Sequence, residues 1–301
     1  MKKVVVTGAG GFIGRALTKA LADKGYKVYA ILLNQKEYEL SYKSDNIIPV
    51  IGDLFNFTDI AKMIDDEIDI LIHLAWCGIS TAEYKDISIQ KKNLELSVDT
   101  VELAKLLKCK RFLFAGSNQE YVVGSSLNNS ILTNASVYGT CKLCANKLCE
   151  VLTYNQMEYL STAFTNVFGV GDYSKRTANL FIGKLMNGES LSLIEGNNLY
   201  DWTYIDDAVN GLISAAEKGI SGKQYYIGSR KLITFKEIIT KVRDIINPQG
   251  ELNFGAYVDT THTDYSRYDL DVLYNDTGFE CACDFKQSVL KTAEWLNNIH
   301  N

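Results

Sequence analysis

The 301-residue chain has little proline and little histidine: Pro49 and Pro248, then His73, His262 and His300. Collagen-like repeats are excluded, and proline marks no linker. The three histidines stand in unrelated segments, so no histidine cluster offers metal-ligand spacing. His73 reads as a structural residue closing a buried strand. Long hydrophobic runs are missing too. The longest nearly apolar stretch, Ile70 to Ile79, covers ten residues and is broken by His73 and Gly78. A membrane-crossing helix needs roughly 20. No run of five like charges occurs, and the net charge is −5. Nucleic acid and anionic membranes, which attract basic patches, are therefore not expected as partners. An anionic small molecule stays open, since a few local arginines suffice.

What the chain does have is 47% hydrophobic residues and 22 glycines, enough for a sizeable core and about two domains. Its start, Met1-Lys2-Lys3-Val4, runs straight into a glycine loop with no apolar leader, and its seven cysteines are an odd number. Both point to reduced thiols and a cytoplasmic protein. Cys141-x-x-Cys144 lacks a second pair or a nearby histidine, so it reads as packing rather than a metal or redox site.

Short apolar runs at Lys3–Thr7, Lys27–Leu32, Ile47–Ile51, Ile70–Leu74, Arg111–Ala115 and Tyr159–Phe164 alternate with helical patterns. The helical patterns lie around Phe12–Lys24, Thr58–Asp65, Tyr84–Leu107 and Val137–Asn155. Such alternation predicts an α/β fold: a doubly wound parallel sheet of Rossmann type, covered on both faces. After Gly169 helices dominate, at Thr177–Asn187, Asp206–Lys218, Phe235–Ile246 and Phe285–Asn298, with short strand-like pieces between. The expected division is a dinucleotide-binding domain of residues 1–165 with about 205–228. A smaller C-terminal α/β substrate lobe takes 166–204 and 229–301.

Gly8, Gly11 and Gly14 join the first strand to the first helix in G-x-x-G-x-x-G spacing. Lacking a Cβ, they permit a tight turn and close backbone approach to a pyrophosphate at a helix N-terminus. The acid that usually ends the second strand and binds the ribose 2′-hydroxyl is missing from Ile31-Leu32-Leu33-Asn34. Arg15 and Lys36 are placed to face a 2′-phosphate instead, although Arg15 also reads as a solvated helix residue. The balance tips toward NADP(H) over NAD(H). Asp53, after the third strand, suits either an adenine contact or a helix cap.

Tyr138 and Lys142 stand four apart and so share a helical face. A free phenol, with a pKa of about 10, is a poor base near neutrality. A cation in a dry cleft would bring that value down.

The glycine loop, Asp53, His73-Leu74-Ala75, Asn93, Ser117 and Tyr138-x-x-x-Lys142 resemble, in order and spacing, the extended short-chain dehydrogenase/reductases. Asn166-Val-Phe-Gly169, Asp201-Trp-Thr-Tyr-Ile-Asp-Asp207, Tyr226-Ile-Gly228 and Leu270-Asp271 extend the likeness over essentially the whole chain. They resemble the epimerase/dehydratase branch that acts on nucleotide sugars. The resemblance implies that Tyr138 is the acid/base, that Ser117 bonds the same sugar oxygen, and that Lys142 holds the nicotinamide ribose. It implies cofactor contacts at Gly8, Gly11, Phe12, Ile13, Gly14, Arg15, Asp53, Leu54, Leu74, Ala75 and Asn93, beside Tyr138 and Lys142. Substrate contacts fall to Ser117, Asn166, Arg176 and Arg267, with no metal. It also implies a homodimer through the helices at Lys91–Leu107 and Val137–Asn155.

Where dehydratases of this branch resemble Thr-Asp-Glu-x-Tyr, this chain has Ser117-Asn118-Gln119-Glu120-Tyr121. Carboxamides do not act as acid or base near neutral pH, so dehydration is not expected. Glu120, one residue out of register, is expected to face away from the sugar. A ketoreductase of a 4-keto nucleoside-diphosphate sugar is the leading reading, with Tyr138 as proton donor. A 4-epimerase that retains NAD is the alternative, and a dinucleotide-sensing protein without catalysis is the reading from another class. Two arginines common in the branch are replaced by Ala163 and Tyr200, which leaves Arg176, Arg230 and Arg267 as candidates for the diphosphate.

Overall fold

The computed structural model describes residues 1–80, 82–124, 135–174, 177–258, 265 and 268–300. Arg176 and Arg267 lie outside the described residues.

Strands β1 (Lys3–Thr7), β2 (Lys27–Leu32), β3 (Ile47–Ile51), β4 (Ile70–His73), β5 (Arg111–Ser117) and β6 (Glu158–Phe164) form one parallel sheet with an edge strand, Gln224–Ile227. The order runs from that edge strand through β6, β5, β4, β1 and β2 to β3. Val4 and Val6 pack into the core on one face and Val5 into the core on the other, all fully buried. Two covered faces explain why β1 reads as an unbroken apolar run. Helices Phe12–Asp23 and Ile205–Lys218 pack together on the Val4 face. Helices Ile87–Leu106 and Ser136–Thr153 pair on the other. This is the Rossmann-type doubly wound sheet with a smaller C-terminal α/β part.

That smaller part builds three two-stranded pieces rather than a second large sheet. Asn166–Phe168 runs parallel to Trp202–Tyr204, and Leu191–Ile194 runs parallel to Leu252–Tyr257. Leu199–Tyr200 pairs antiparallel with Ile233–Thr234. Helices Thr177–Met186, Phe235–Ile246 and Phe285–His300 pack against one another beside them. No helix among the described residues is long and apolar enough to cross a membrane.

Strand order reverses between β1 and β4, so their carboxyl ends, Thr7 and His73, diverge into loops at the switch point where such sheets bind ligands.

Candidate active site

The turn after β1 needs its glycines. Gly8 has φ +66°, and a Cβ there would stand 2.8 Å from the Ala75 nitrogen. A Cβ on Gly14 would stand 2.1 Å from the Gly8 carbonyl oxygen. The helix Phe12–Asp23 thus begins tight against the loop, with Gly11 as its N-cap and no side chain capping it. Its free N–H groups and partial positive charge face the place a pyrophosphate would take.

Two charged residues flank the loop. Arg15 does not face the end of β2: its guanidinium donates to the carbonyls of Gly10 at 2.6 Å and Gly171 at 2.7 Å. It also lies over the Tyr173 ring. Glu37, by contrast, turns back to the end of β2. Its carboxylate accepts the Leu33 N–H at 2.8 Å, and a Cβ on Gly10 would fall 2.4 Å from its carboxyl carbon. An acid therefore stands at the glycine loop after all, supplied by helix Gln35–Leu40 rather than by the strand.

The loop after β4 is pinned from two sides. Asn93, buried in helix Ile87–Leu106, accepts the Cys77 N–H at 2.8 Å and donates to the Cys77 carbonyl at 2.9 Å. The Thr7 hydroxyl and the Ala75 N–H are bonded at 3.3 Å, and Thr7 meets His73 Nδ1 at 2.8 Å. Burial pushes the His73 pKa down to about 3, so this imidazole is neutral and structural. Asp53 caps the short turn that follows it, accepting from the Phe55 N–H at 3.1 Å.

Ser117 ends β5, and helix Ser136–Thr153, which packs against β5, carries Tyr138 and Lys142. The Tyr138 ring stacks on Tyr84 with centroids 4.7 Å apart and meets the Trp76 edge at 5.9 Å. The Lys142 ammonium lies 3.8 Å from the Trp76 centroid and 4.7 Å from that of Phe114. Burial pushes its pKa down, and Glu120 draws it back up. The Ser117 hydroxyl donates to Asn118 Oδ1 at 3.3 Å and accepts the Gln119 N–H at the same distance. Trp76 thus touches both the Tyr138 ring and the Lys142 ammonium.

The model of the NAD dependent epimerase/dehydratase family matches residues 4–228, from β1 to just past the edge strand. The chain belongs to this family. It is an enzyme of the NAD dependent epimerase/dehydratase type. A curated relative, dTDP-D-glucose 4,6-dehydratase of Dictyostelium discoideum, is 24% identical over 81% of this chain and 62% of its own length. The chain thus spans under two thirds of that protein. Among solved structures, the Bordetella bronchiseptica enzyme WbmF in complex with NAD+ and UDP superposes with TM-score 0.81, 22% identity and coverage of 99% and 92%. UDP-glucuronic acid 4-epimerase from Bacillus cereus, with UDP-glucuronic acid and NAD, gives TM-score 0.81, 23% identity and 99% coverage of both chains.

Asn166 donates to the Asp201 carbonyl at 3.4 Å. Arg230 is held by Asp271 at 2.5 Å and Glu280 at 3.4 Å. Two carboxylates escaped the sequence reading as site components, and both carried a signal. Asn34-x-x-Glu37 and Ser117-x-x-Glu120 are helix-opening patterns, each with the acid three residues after the cap. A cavity of about 290 Å³ in the C-terminal part, lined by Asp201, Trp202, Cys281 and Phe285 among others, includes none of Ser117, Tyr138 and Lys142.

Proposed function

We propose that the chain is an NAD(H)-linked reductase of a 4-keto nucleoside-diphosphate sugar. The glycine loop, which a Cβ at Gly8 or Gly14 would fill, fits a dinucleotide pyrophosphate. Glu37 at that loop suits a ribose 2′-hydroxyl and repels a 2′-phosphate, while Arg15 is bound elsewhere. These contacts favour NAD(H) over the NADP(H) expected from Ile31–Asn34. Solved relatives carrying NAD+ with UDP or a UDP-sugar support the same cofactor and substrate class.

Bound nicotinamide supplies the hydride. Tyr138 then donates its phenolic proton to the sugar oxygen while Ser117 hydrogen-bonds that oxygen. Lys142, as an ammonium, stabilises the phenolate left behind. Asn118 and Gln119 offer no acid or base for loss of water.

The observation that carries the reductase reading is the aromatic enclosure of Tyr138. An epimerase must let the keto-sugar turn over between hydride removal and return, and Tyr84 and Trp76 wall two sides of the phenol. A second reading, a 4-epimerase that keeps its NAD, is favoured by Arg15, which straps the phosphate loop to Gly171. Denaturing freshly purified protein and identifying the released nucleotide by chromatography separates the two. An empty site that then prefers NADH to NADPH supports the reductase, and stoichiometric bound NAD supports the epimerase.

In this reading residues 1–165 with 205–228 hold the cofactor, and 166–204 with 229–301 hold the sugar. Exposed Leu106, Leu148 and Val151 on the paired helices support a homodimer. The seven cysteines are unbridged, which suits the cytoplasm.

A further inference from the structure

We propose that Glu120 is the positioning residue of this site: its buried carboxylate ties Ser117 to the helix of Tyr138 and supplies the counter-charge of Lys142. The proposal rests on reading Ser117, Tyr138 and Lys142 as the reacting group, and it takes up a side chain that reading leaves unused.

Glu120 Oε1 accepts the Ser117 N–H at 2.7 Å, closing a cap over helix Asn118–Gly124. An ordinary capping box stops there, at solvent. Thr234 and Glu237 form one in this same protein, and Glu237 is exposed. Glu120 is 2% exposed, and its second oxygen accepts from Asn146 Nδ2 at 2.6 Å. Gly116 admits it, since a Cβ there would fall 2.6 Å from Oε1. Asn146 is itself oriented by the Tyr159 hydroxyl, which donates to its Oδ1 at 2.6 Å. Tyr138, Lys142 and Asn146 follow at four-residue intervals on one helical face. The hydrogen-bond chain therefore runs from the helix of the phenol to the strand end of the hydroxyl.

A glutamine serves a capping box as well as a glutamate does. Burying a carboxylate is unfavourable without a charge partner, and the partner here is Lys142, itself 4% exposed. The rings of Trp76 and Phe114 at the ammonium carry no net charge. The other titratable groups facing the pair come from several elements: Cys149 on the same helix, His73 on β4, Tyr159 on β6, Tyr121 beside Glu120, and Tyr268. Burial raises the thiol and the phenols and lowers the imidazole, which leaves all five neutral near pH 7. Burial pushes the Glu120 carboxyl up, and Asn146, Lys142 and the Ser117 N–H draw it back down. Both its oxygens accept from groups that only donate, which favours the ionised form. Glu120 is thus the negative charge facing Lys142, and it keeps the proton on an amine that burial would otherwise strip.

The test is a lysine carbon-13 NMR titration of the full chain without cofactor, with Lys142 assigned by the signal lost in Lys142→Met. In Glu120→Gln the Lys142 midpoint falls by about one pH unit or more, the size expected for losing an opposite charge at close range. Glu120→Asp, which keeps the charge, restores at least half of that shift. An unchanged midpoint in Glu120→Gln overturns the proposal. Should that variant not fold, the reciprocal measurement decides, because coupling between two protons is symmetric. The Glu120 carboxyl midpoint in Lys142→Met must then rise by a similar amount, and no rise overturns the proposal. Neither measurement reads turnover, so the reductase reading is tested separately.

Discussion

Glu37 closes on Gly10: its carboxyl carbon lies 2.4 Å from where a Cβ on that glycine would stand, while its Oε2 holds the Leu33 N–H. A carboxylate at the end of β2 favours a ribose diol and repels a phosphate ester in its place. Replacing Glu37 with Gln removes the repulsion and keeps the shape. The ratio of NADPH to NADH affinity should rise at least tenfold, about 1.4 kcal/mol, read by fluorescence titration of both nucleotides. An unchanged ratio would place the adenosine ribose elsewhere.

Tyr138→Phe removes the proton donor and leaves the ring that stacks on Tyr84. Turnover should fall by about 10²–10⁴-fold, the range for loss of a general acid, while NADH affinity changes less than threefold. A dinucleotide sensor would show no difference in its function, so the same variant separates that class from an enzyme.

Where sequence periodicity had a physical cause, it was readable. β1, β2, β4, β5 and β6 are buried on two faces, so runs such as Val4-Val5-Val6 stand out, and for all six strands, the edge strand β3 included, the structure agrees within two residues at each end. Tyr138 and Lys142 both meet Trp76 because four-residue spacing puts them on one helical face. The edge strand Gln224–Ile227 is four residues long and carries Gln224 and two tyrosines, so it shows itself only through pairing with β6. Helix Gln35–Leu40 buries none of its residues and has no apolar face, which hid Glu37. Arg15 looked free because sequence does not show the Gly171 carbonyl, 156 residues away, closing on it. The burial of Glu120 under Ser117 follows from tertiary packing of Asn146, which adjacent sequence does not show.

Two glycine replacements should move in opposite directions. Gly14→Ala puts a methyl 2.1 Å from the Gly8 carbonyl oxygen. It should weaken NADH binding more than tenfold and destabilise the fold by about 1–3 kcal/mol. Gly183→Ala, in helix Thr177–Met186 with nothing within 4 Å of the added carbon, should stabilise by about 0.5–1 kcal/mol. Urea unfolding measures both.

Burial pushes the Asp201 carboxyl up to about 6, even though Tyr226 and Ser229 donate to it. A folded-state value above the unfolded one means that stability is fullest below about pH 4 and declines as pH rises through 6. The shift of about two units corresponds to about 3 kcal/mol. Asp201→Asn should lose this component, so the stability difference between variant and parent grows in the variant's favour from pH 4 to pH 6.5. Parallel unfolding curves across that range would contradict the buried ionisation.

The most direct test of the central claim is to follow NADH absorbance while supplying a 4-keto-6-deoxy nucleoside-diphosphate sugar. One NADH consumed per sugar reduced, with Tyr138→Phe inactive under the same conditions, is the predicted result. Interconversion of C4 epimers with no net change in NADH, by protein that retains its nucleotide, would contradict it.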